Sequence, residues 1–423
     1  MAIKRIIVGQ SGGPTPVIDW SVDGILTSAR AKGIEVYGAK NGFEGILHAD
    51  IEGNIVDMSG IDPTQFIYNG PGSGLGATRV KPNKEQLEII AKNLNKLGVD
   101  AIVYIGGNDS SDQLRSLTEV SDIKAIHGIK TVDNDLPVTH HCPGFGSAAL
   151  YNAIAIKNVV SDFSSYKMRG KMNDGSMGVL HAPVVIYQVM GRKAGWLAQA
   201  SAFARVDPRG VMVPGRAPHI ILSKEMLFDK DQFLGEVSNV ISKYGECTVV
   251  VQEDLTDKNT GDSIAKVFGE VTLDPHGNIQ HGRADSFQPA IFLATTINKE
   301  LKVDAVAKIK EAALVPQHIQ RSYALSQTDA SEAYMVGYAA VDALEAGETK
   351  KSVILKRDSK TGNFVTGLTD LENIARKETN VDVNDIEGYL GPKQSFVDEY
   401  IHCIGGPLAI PHYSSMMWKN VKL

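Results

Sequence analysis

The chain has no long uninterrupted apolar run, no excess of basic charge and no paired cysteines. Of its 423 residues only three are cysteine, Cys142, Cys247 and Cys403. They lie far apart, in odd number and without zinc-site spacing, so a reduced, cytoplasmic chain is expected. No stretch is apolar for long enough to span a bilayer, and residues 1–8 run into a strand-like segment without the longer apolar core of a signal peptide. A soluble protein with no membrane partner is the expectation. The formal net charge of -6 gives nucleic acid and acidic lipid surfaces nothing to bind. Two nucleotide signatures are missing as well. Gly12-Gly13 does not fit the Gly-x-Gly-x-x-Gly spacing, and no Gly-x4-Gly-Lys-Ser/Thr occurs, which argues against a dinucleotide dehydrogenase and a P-loop NTPase.

What is present is ordinary globular material, 43% hydrophobic and 22% charged, in a chain long enough for two domains. Apolar runs of strand length at residues 6–9, 101–105, 184–189 and 247–252 alternate with helical patterns, and no internal repeat or low-complexity segment interrupts them. Such alternation predicts an α/β fold with parallel-dominated sheets covered on both faces. Ligands bind such sheets beyond the carboxyl ends of the strands. Residues 228–231 and 254–262 read as solvated loops, and residues 349–423 as a less regular C-terminal elaboration.

Each of those strands ends in chemistry. Ser11-Gly12-Gly13-Pro14-Thr15 follows the first, and Gly106-Gly107-Asn108-Asp109-Ser110 the second. A strand, glycines and a helix start bring backbone N–H groups and a favourable dipole to one point, where an anion can bind. A tight turn accounts for a lone Gly-Gly pair equally well, and a helix cap for Asn-Asp-Ser. The densest stretch is Lys130-Thr131-Val132-Asp133-Asn134-Asp135. Phosphoryl transfer needs positioning, cations near the phosphate oxygens and a group to accept a hydroxyl proton. Alternation along this stretch would set Thr131, Asp133 and Asp135 on one side, and two near carboxylates raise one another's pKa, as suits a base.

These pieces, in this order with Met190-Gly191-Arg192 downstream, resemble the phosphofructokinase family and, at Lys130 and Asp109, its pyrophosphate-dependent branch. ATP users of the family generally have glycine at both positions. The resemblance implies that Asp133 accepts the proton, supported by Asp135, and that Thr131 touches substrate. Lys130 would balance charge on the departing phosphate, and Asp109 would repel the α-phosphate of a nucleotide. Gly12, Gly13, Asn108 and Arg79, the last in Gly74-Leu75-Gly76-Ala77-Thr78-Arg79, would bind the donor, with Mg2+ near Asn108 and Asp109. Met190, Gly191, Arg192, Glu253, His318 and Arg321 would hold a sugar phosphate. The implied reaction is reversible transfer from pyrophosphate to the 1-hydroxyl of fructose 6-phosphate, in glycolysis or its reverse.

The implied architecture is two facing Rossmann-like, three-layer domains. Residues 1–137, with part of 322–395 returning, form the donor domain, residues 138–321 the acceptor domain, and residues 396–423 a C-terminal extension. A homodimer or homotetramer is implied too. Some positions depart from the family pattern: Asn108 for aspartate, His140 for aspartate, Gln188 for glutamate, and Asp19-Trp20 for a small uncharged pair. The weightiest departure concerns two arginines that many relatives present to the acceptor's phosphate. Residues 181–185 and 310–314 contain neither, although Lys310 could stand in for one. A charge-assisted hydrogen bond contributes roughly 1.5–3 kcal/mol. Sedoheptulose 7-phosphate or an unphosphorylated ketose or polyol therefore remains an alternative acceptor, and a non-catalytic regulatory homologue an alternative role.

Overall fold

The structure is a computed structural model that describes residues 3–64, 67, 72–78, 80–269, 287–304, 306–322 and 324–408. Arg79 and residues 409–423 of the expected C-terminal extension lie outside the described residues. The chain divides into two compact units, Met1–Leu150 with Ile319–Asn380, and Tyr151–His318 with Val381–Leu423.

Strands β1 (Arg5–Gln10), β2 (Glu35–Ala39), β3 (Ile55–Asp57), β4 (Ala101–Gly106) and β5 (Lys124–Ile129) open the first unit. The second unit holds β6 (Met168–Lys171), β7 (Met177–Val189), β8 (Ile220–Leu222), β9 (Leu227–Phe228), β10 (Cys247–Gln252), β11 (Thr256–Asp257) and β12 (Ile309–Leu314). The chain then returns to the first unit with β13 (Lys351–Arg357) and β14 (Phe364–Asp370). The first sheet runs β14-β13-β5-β4-β1-β2-β3. Its pairings are parallel except at the two edges, β13 with β14 and β2 with β3.

Continuous apolar strands form its centre because both faces are covered. Ile6, Val8, Val103 and Ile105 face one core with Ile18, Val22, Val336 and Val341. Ile7, Ile102 and Tyr104 face the other, with Leu87, Ile90, Leu94 and Leu114. Because β1 has β2 on one side and β4 on the other, the strand order reverses there. The ends of β1 and β4 therefore open a crevice of the kind in which α/β sheets bind ligands.

In the second unit β12, β7, β10 and β8 form a parallel sheet, and β6 joins β7 antiparallel. Phe228, Phe233, Val249, Val251 and Leu293 lie in its core.

Several expectations change. The segment read as C-terminal elaboration supplies β13, which pairs in parallel with β5 inside the first sheet. Its apolar run is only Val353-Ile354-Leu355 between charged residues, too short to stand out in the sequence. The expected solvated loops are structured as well: β9 pairs with β11, Phe228 is buried, and Asp257 is buried under hydrogen bonds from the Asn259 and Thr260 amides and the Thr260 hydroxyl. The first crossing between units falls inside the helix Phe145–Ser164, later than residue 137. The cause is Asp329, whose carboxylate accepts from Gly144 N at 2.9 Å, Ser147 N at 2.8 Å and Ser147 Oγ at 2.6 Å. These bonds hold the start of that helix to the first unit.

Asp329 belongs to the helix Gln327–Glu345, which packs on the first long helix, Val17–Ala31, with backbones nearly touching. A Cβ on Gly24 would collide with the Tyr334 carbonyl, and one on Gly337 with the Ser21 carbonyl. Overpacking of this kind costs about 1–3 kcal/mol, and backbone cannot move aside as a flexible side chain can. Gly337→Ala is therefore expected to lower unfolding stability by at least ~1 kcal/mol in urea titrations at unchanged m-value. An unchanged midpoint would contradict this account of the crossing.

Candidate active site

The turn after β1 is built with its carbonyls inward. Ser11 N donates to Ile105 O at 2.9 Å, which joins the ends of β1 and β4. Gly12, at φ +81°, gives its amide to Thr78 O at 3.2 Å. The carbonyls of Ser11 and Gly13 accept from Lys130 Nζ, at 3.1 and 2.9 Å. Lys130 is buried, 3% exposed. An ammonium group taken from water must find acceptors inside the protein, and these carbonyls supply two. The other flank of the turn carries a second cation, since a Cβ on Gly13 would collide with the Arg321 guanidinium. Glycine at 13 is what admits that close approach.

The turn after β4 leads into the helix Asn108–Val120, with Gly107 at the cap position and no side-chain cap. Asn108 is thus the first helical residue rather than a cap. Its Nδ2 donates to Glu378 Oε1 at 3.2 Å. Asp109, largely exposed, pairs with Lys81 Nζ at 3.0 Å. The first-turn amides and the dipole make this helix start favourable for an anion.

The loop after β5 does not alternate like a strand. Asn134 adopts φ +54° and turns the chain, and its Oδ1 accepts from Cys142 N at 2.8 Å. Thr131 and Asp135 nevertheless meet, with Thr131 Oγ1 donating to Asp135 Oδ1 at 3.3 Å, while Asp133 N donates to Thr131 Oγ1 at 3.2 Å. Burial, then the charges of Asp133 and Glu378, push the Asp135 carboxyl up to about 7. Beneath the loop, burial, helped by the Lys130 charge, pushes His127 down to about 4. The neutral ring spans Ser352 Oγ and Gly106 O, each 3.0 Å away.

Glu378 thus links Asn108, whose amide it accepts, with Asp135, on which the charges of Asp133 and Glu378 both bear, while Asp109 pairs with Lys81. A divalent cation near Asp133, Asp135 and Glu378 would offset the part of the Asp135 shift that their charges add to burial. Sequence reasoning missed Glu378 and Lys81. Nothing near Glu378 marks it, because tertiary folding alone brings residues 371–380 back to the first sheet.

In the second unit Met190, Gly191 and Arg192 follow β7, and Glu253 follows β10, with Val189 paired to Gln252. Gly191 has φ +108°, and Lys224 Nζ donates to Arg192 O at 3.4 Å. His318 lies in the short turn after β12, which also pairs with β7. All five residues therefore sit at the carboxyl edge of one sheet. Arg321 belongs to the first unit. The Lys310 ammonium lies 5.8 Å from the Tyr166 ring centroid. Gln188 supports the start of the helix Pro289–Glu300, bonding Gln288 Oε1 at 2.8 Å and Ala290 N at 3.2 Å. His140 Nδ1 is 2.9 Å from His141 Nδ1, whose Nε2 is 2.7 Å from Glu332 Oε2.

The Asp135 shift has a consequence for stability. A carboxyl whose folded pKa exceeds its unfolded value binds more protons when folded, so its contribution is full below the unfolded pKa and is lost as pH rises through about 7. Between pH 5 and 8 the wild type is expected to lose ~1 kcal/mol or more relative to Asp135→Asn, which cannot titrate. Urea midpoints of both proteins across that range test this, and parallel curves would refute it.

The phosphofructokinase family model matches residues 5–344. A pyrophosphate–fructose 6-phosphate 1-phosphotransferase of Rhodospirillum rubrum is 34% identical over 391 residues, covering 88% of this chain and 87% of the relative. A sulfofructose kinase of Alkalicoccus urumqiensis is 27% identical, covering 86% of each chain. The crystal structure of a pyrophosphate-dependent phosphofructokinase from Marinobacter aquaeolei superimposes with a TM-score of 0.74 at 26% identity, over 99% of both chains. With the family model matched from β1 to the helix Gln327–Glu345, this chain belongs to the phosphofructokinase family.

Proposed function

We propose that this protein transfers a phosphoryl group from pyrophosphate to the 1-hydroxyl of fructose 6-phosphate, giving fructose 1,6-bisphosphate and orthophosphate. The observation that carries the donor assignment is Lys130, an ammonium fastened under the Gly12–Gly13 turn by the carbonyls of Ser11 and Gly13. A cation there offsets the charge that builds on a departing phosphate. Asp109, in the first turn of its helix, adds a negative charge that opposes the α-phosphate of a nucleotide. The pyrophosphate-dependent relatives support the same donor.

In the proposed mechanism the first unit binds pyrophosphate and the second unit binds the sugar phosphate. Gly12, Gly13, Asn108 and Arg79 line the donor, and Arg321, beside Gly13, holds the sugar phosphate. Met190, Gly191, Arg192, Glu253 and His318 hold and orient the acceptor, with Thr131 at the reacting end. Asp133 takes the hydroxyl proton, supported by Asp135, whose carboxyl burial and then the Asp133 charge push up to about 7. Mg2+, held by Asn108 and Asp109, would neutralise charge on the phosphate oxygens. Without nucleotide hydrolysis the reaction runs in both directions and serves glycolysis or its reverse. A cytoplasmic homodimer or homotetramer completes the proposal.

A second reading keeps the donor and changes the acceptor. It is motivated by β7 and β12, where residues 181–185 and 310–314 contain no arginine, and by a sulfofructose kinase among the relatives.

Orthophosphate release from pyrophosphate and Mg2+ separates these readings when fructose 6-phosphate, sedoheptulose 7-phosphate, free fructose and ATP controls are compared. Turnover with fructose 6-phosphate and pyrophosphate, and little with ATP, is the expected result. Turnover with another acceptor alone would select the second reading, and silence with every pair would leave a non-catalytic homologue. Asp133→Ala is expected to lower kcat by ~10²–10⁴-fold. For the wild type, kcat/KM should fall as pH drops through about 7, where Asp135 takes up its proton and its charge no longer supports Asp133.

A further inference from the structure

Among the departures from the family pattern, Asp19 has the most complete set of partners. It lies in the first turn of the helix Val17–Ala31 and is 2% exposed. Its Oδ1 accepts from Gln10 Nε2 at 2.8 Å and from Gly74 N at 2.8 Å, and the Gly72 amide also donates to its carboxylate. Gln10, fully buried at the end of β1, turns its own Oε1 to Ser73 Oγ at 3.1 Å and Leu75 N at 2.9 Å. Two side chains thus engage four consecutive residues, 72–75. Two backbone bonds, Thr15 N to Gly72 O at 2.8 Å and Gly12 N to Thr78 O at 3.2 Å, tie this segment to the glycine turn. Lys40 Nζ on Gly74 O at 3.1 Å and Asn41 N on Leu75 O at 2.8 Å grip it from β2 and the turn that follows.

Building on the donor reading above, we propose that Asp19 is a positioning residue for the pyrophosphate site. With Gln10 it holds the 72–78 backbone against the glycine turn. The acidic side chain answers a specific demand. Three N–H donors converge on it, from Gln10, Gly72 and Gly74, and a carboxylate has acceptors only. An asparagine would offer one accepting oxygen and turn an NH2 toward a donor. The burial that lifts the Asp19 carboxyl is opposed by all three of these bonds, so the ionised form is the one the cradle solvates.

The test uses the full-length protein and reads both substrates separately. Asp19→Asn is expected to raise the KM for pyrophosphate by about tenfold, the loss of one charge-assisted bond. The acceptor KM should stay within about twofold, because the acceptor residues of the second unit are untouched. Asp19→Ala should act more strongly, with Asn as its partial rescue. Ser73→Ala, at the rim of the cradle, should raise the pyrophosphate KM less, and it serves if the Asp19 variants fail to fold. Asp23→Asn, a second buried aspartate one helical turn later, controls for general damage to the helix and should leave both KM values unchanged. Calorimetric titration of each protein with magnesium pyrophosphate, without acceptor, should show the same ranking. Equal rises in both KM values, or an unchanged pyrophosphate KM in a folded Asp19→Asn or Ser73→Ala variant, would overturn the assignment. Pyrophosphate binding that weakens as predicted, in a protein inactive toward fructose 6-phosphate, would uphold Asp19 and reject that acceptor. A wild type that neither binds nor consumes pyrophosphate would overturn this inference and the donor reading together.

Discussion

The ammonium of Lys130 organises the first unit. It sits at the end of β5, buried, and is bound by carbonyls from the turn that follows β1. A buried cation without acceptors would be intolerable, so the turn must present Ser11 O and Gly13 O inward. That demand decides how the rest of the turn faces. The Gly12 amide points to Thr78 O, the Ser11 amide to Ile105 O, and the ends of β1, β4 and β5 are drawn to one place. Burial, helped by the same charge, depresses His127 beneath it, which stays neutral and bridges Gly106 to Ser352 on β13. One side chain thus connects the strand order of the sheet with the electrostatics at its carboxyl edge.

Around that point the charges separate. Lys130 and Arg321 flank the glycine turn, and Lys81 lies at the start of the neighbouring helix. Asp133, Asp135 and Glu378 gather at the β5 loop. A chain with a net charge of -6 meets an anionic substrate by this local sorting rather than through its overall field. Burial, then the neighbouring charges of Asp133 and Glu378, lift the Asp135 carboxyl on this side.

The glycine contacts between the helices Val17–Ala31 and Gln327–Glu345 serve the same end. Because Gly24 and Gly337 let the two backbones approach, the later helix brings Asp329 against residues 144–147 and ties the start of the crossing helix to the first unit. Much of this unit was legible in the sequence. The apolar runs at residues 6–9 and 101–105 could only be strands buried on both faces, and each was followed by glycine. Strand β13 was not legible, because three apolar residues between charges carry no period. Nor was Glu378, whose neighbours in the chain name no element and whose partner Asn108 lies 270 residues earlier. Asp19 was visible as an oddity, but its meaning depended on which amides converge on it.

The sequence by itself determined the alternation of strands and helices, the glycine turns and the order of the charged motifs, because these depend on local periodicity and backbone freedom. It also settled the family, since a run of short motifs in fixed order is a property of the chain. Tertiary structure alone decided which way the turn groups face. It put Lys130 under the Ser11 and Gly13 carbonyls, Arg321 beside Gly13, and Asp135 in a buried place where the charges of Asp133 and Glu378 add to its rise. Orientation and burial set the strength of a charge, and both arise only when distant segments pack.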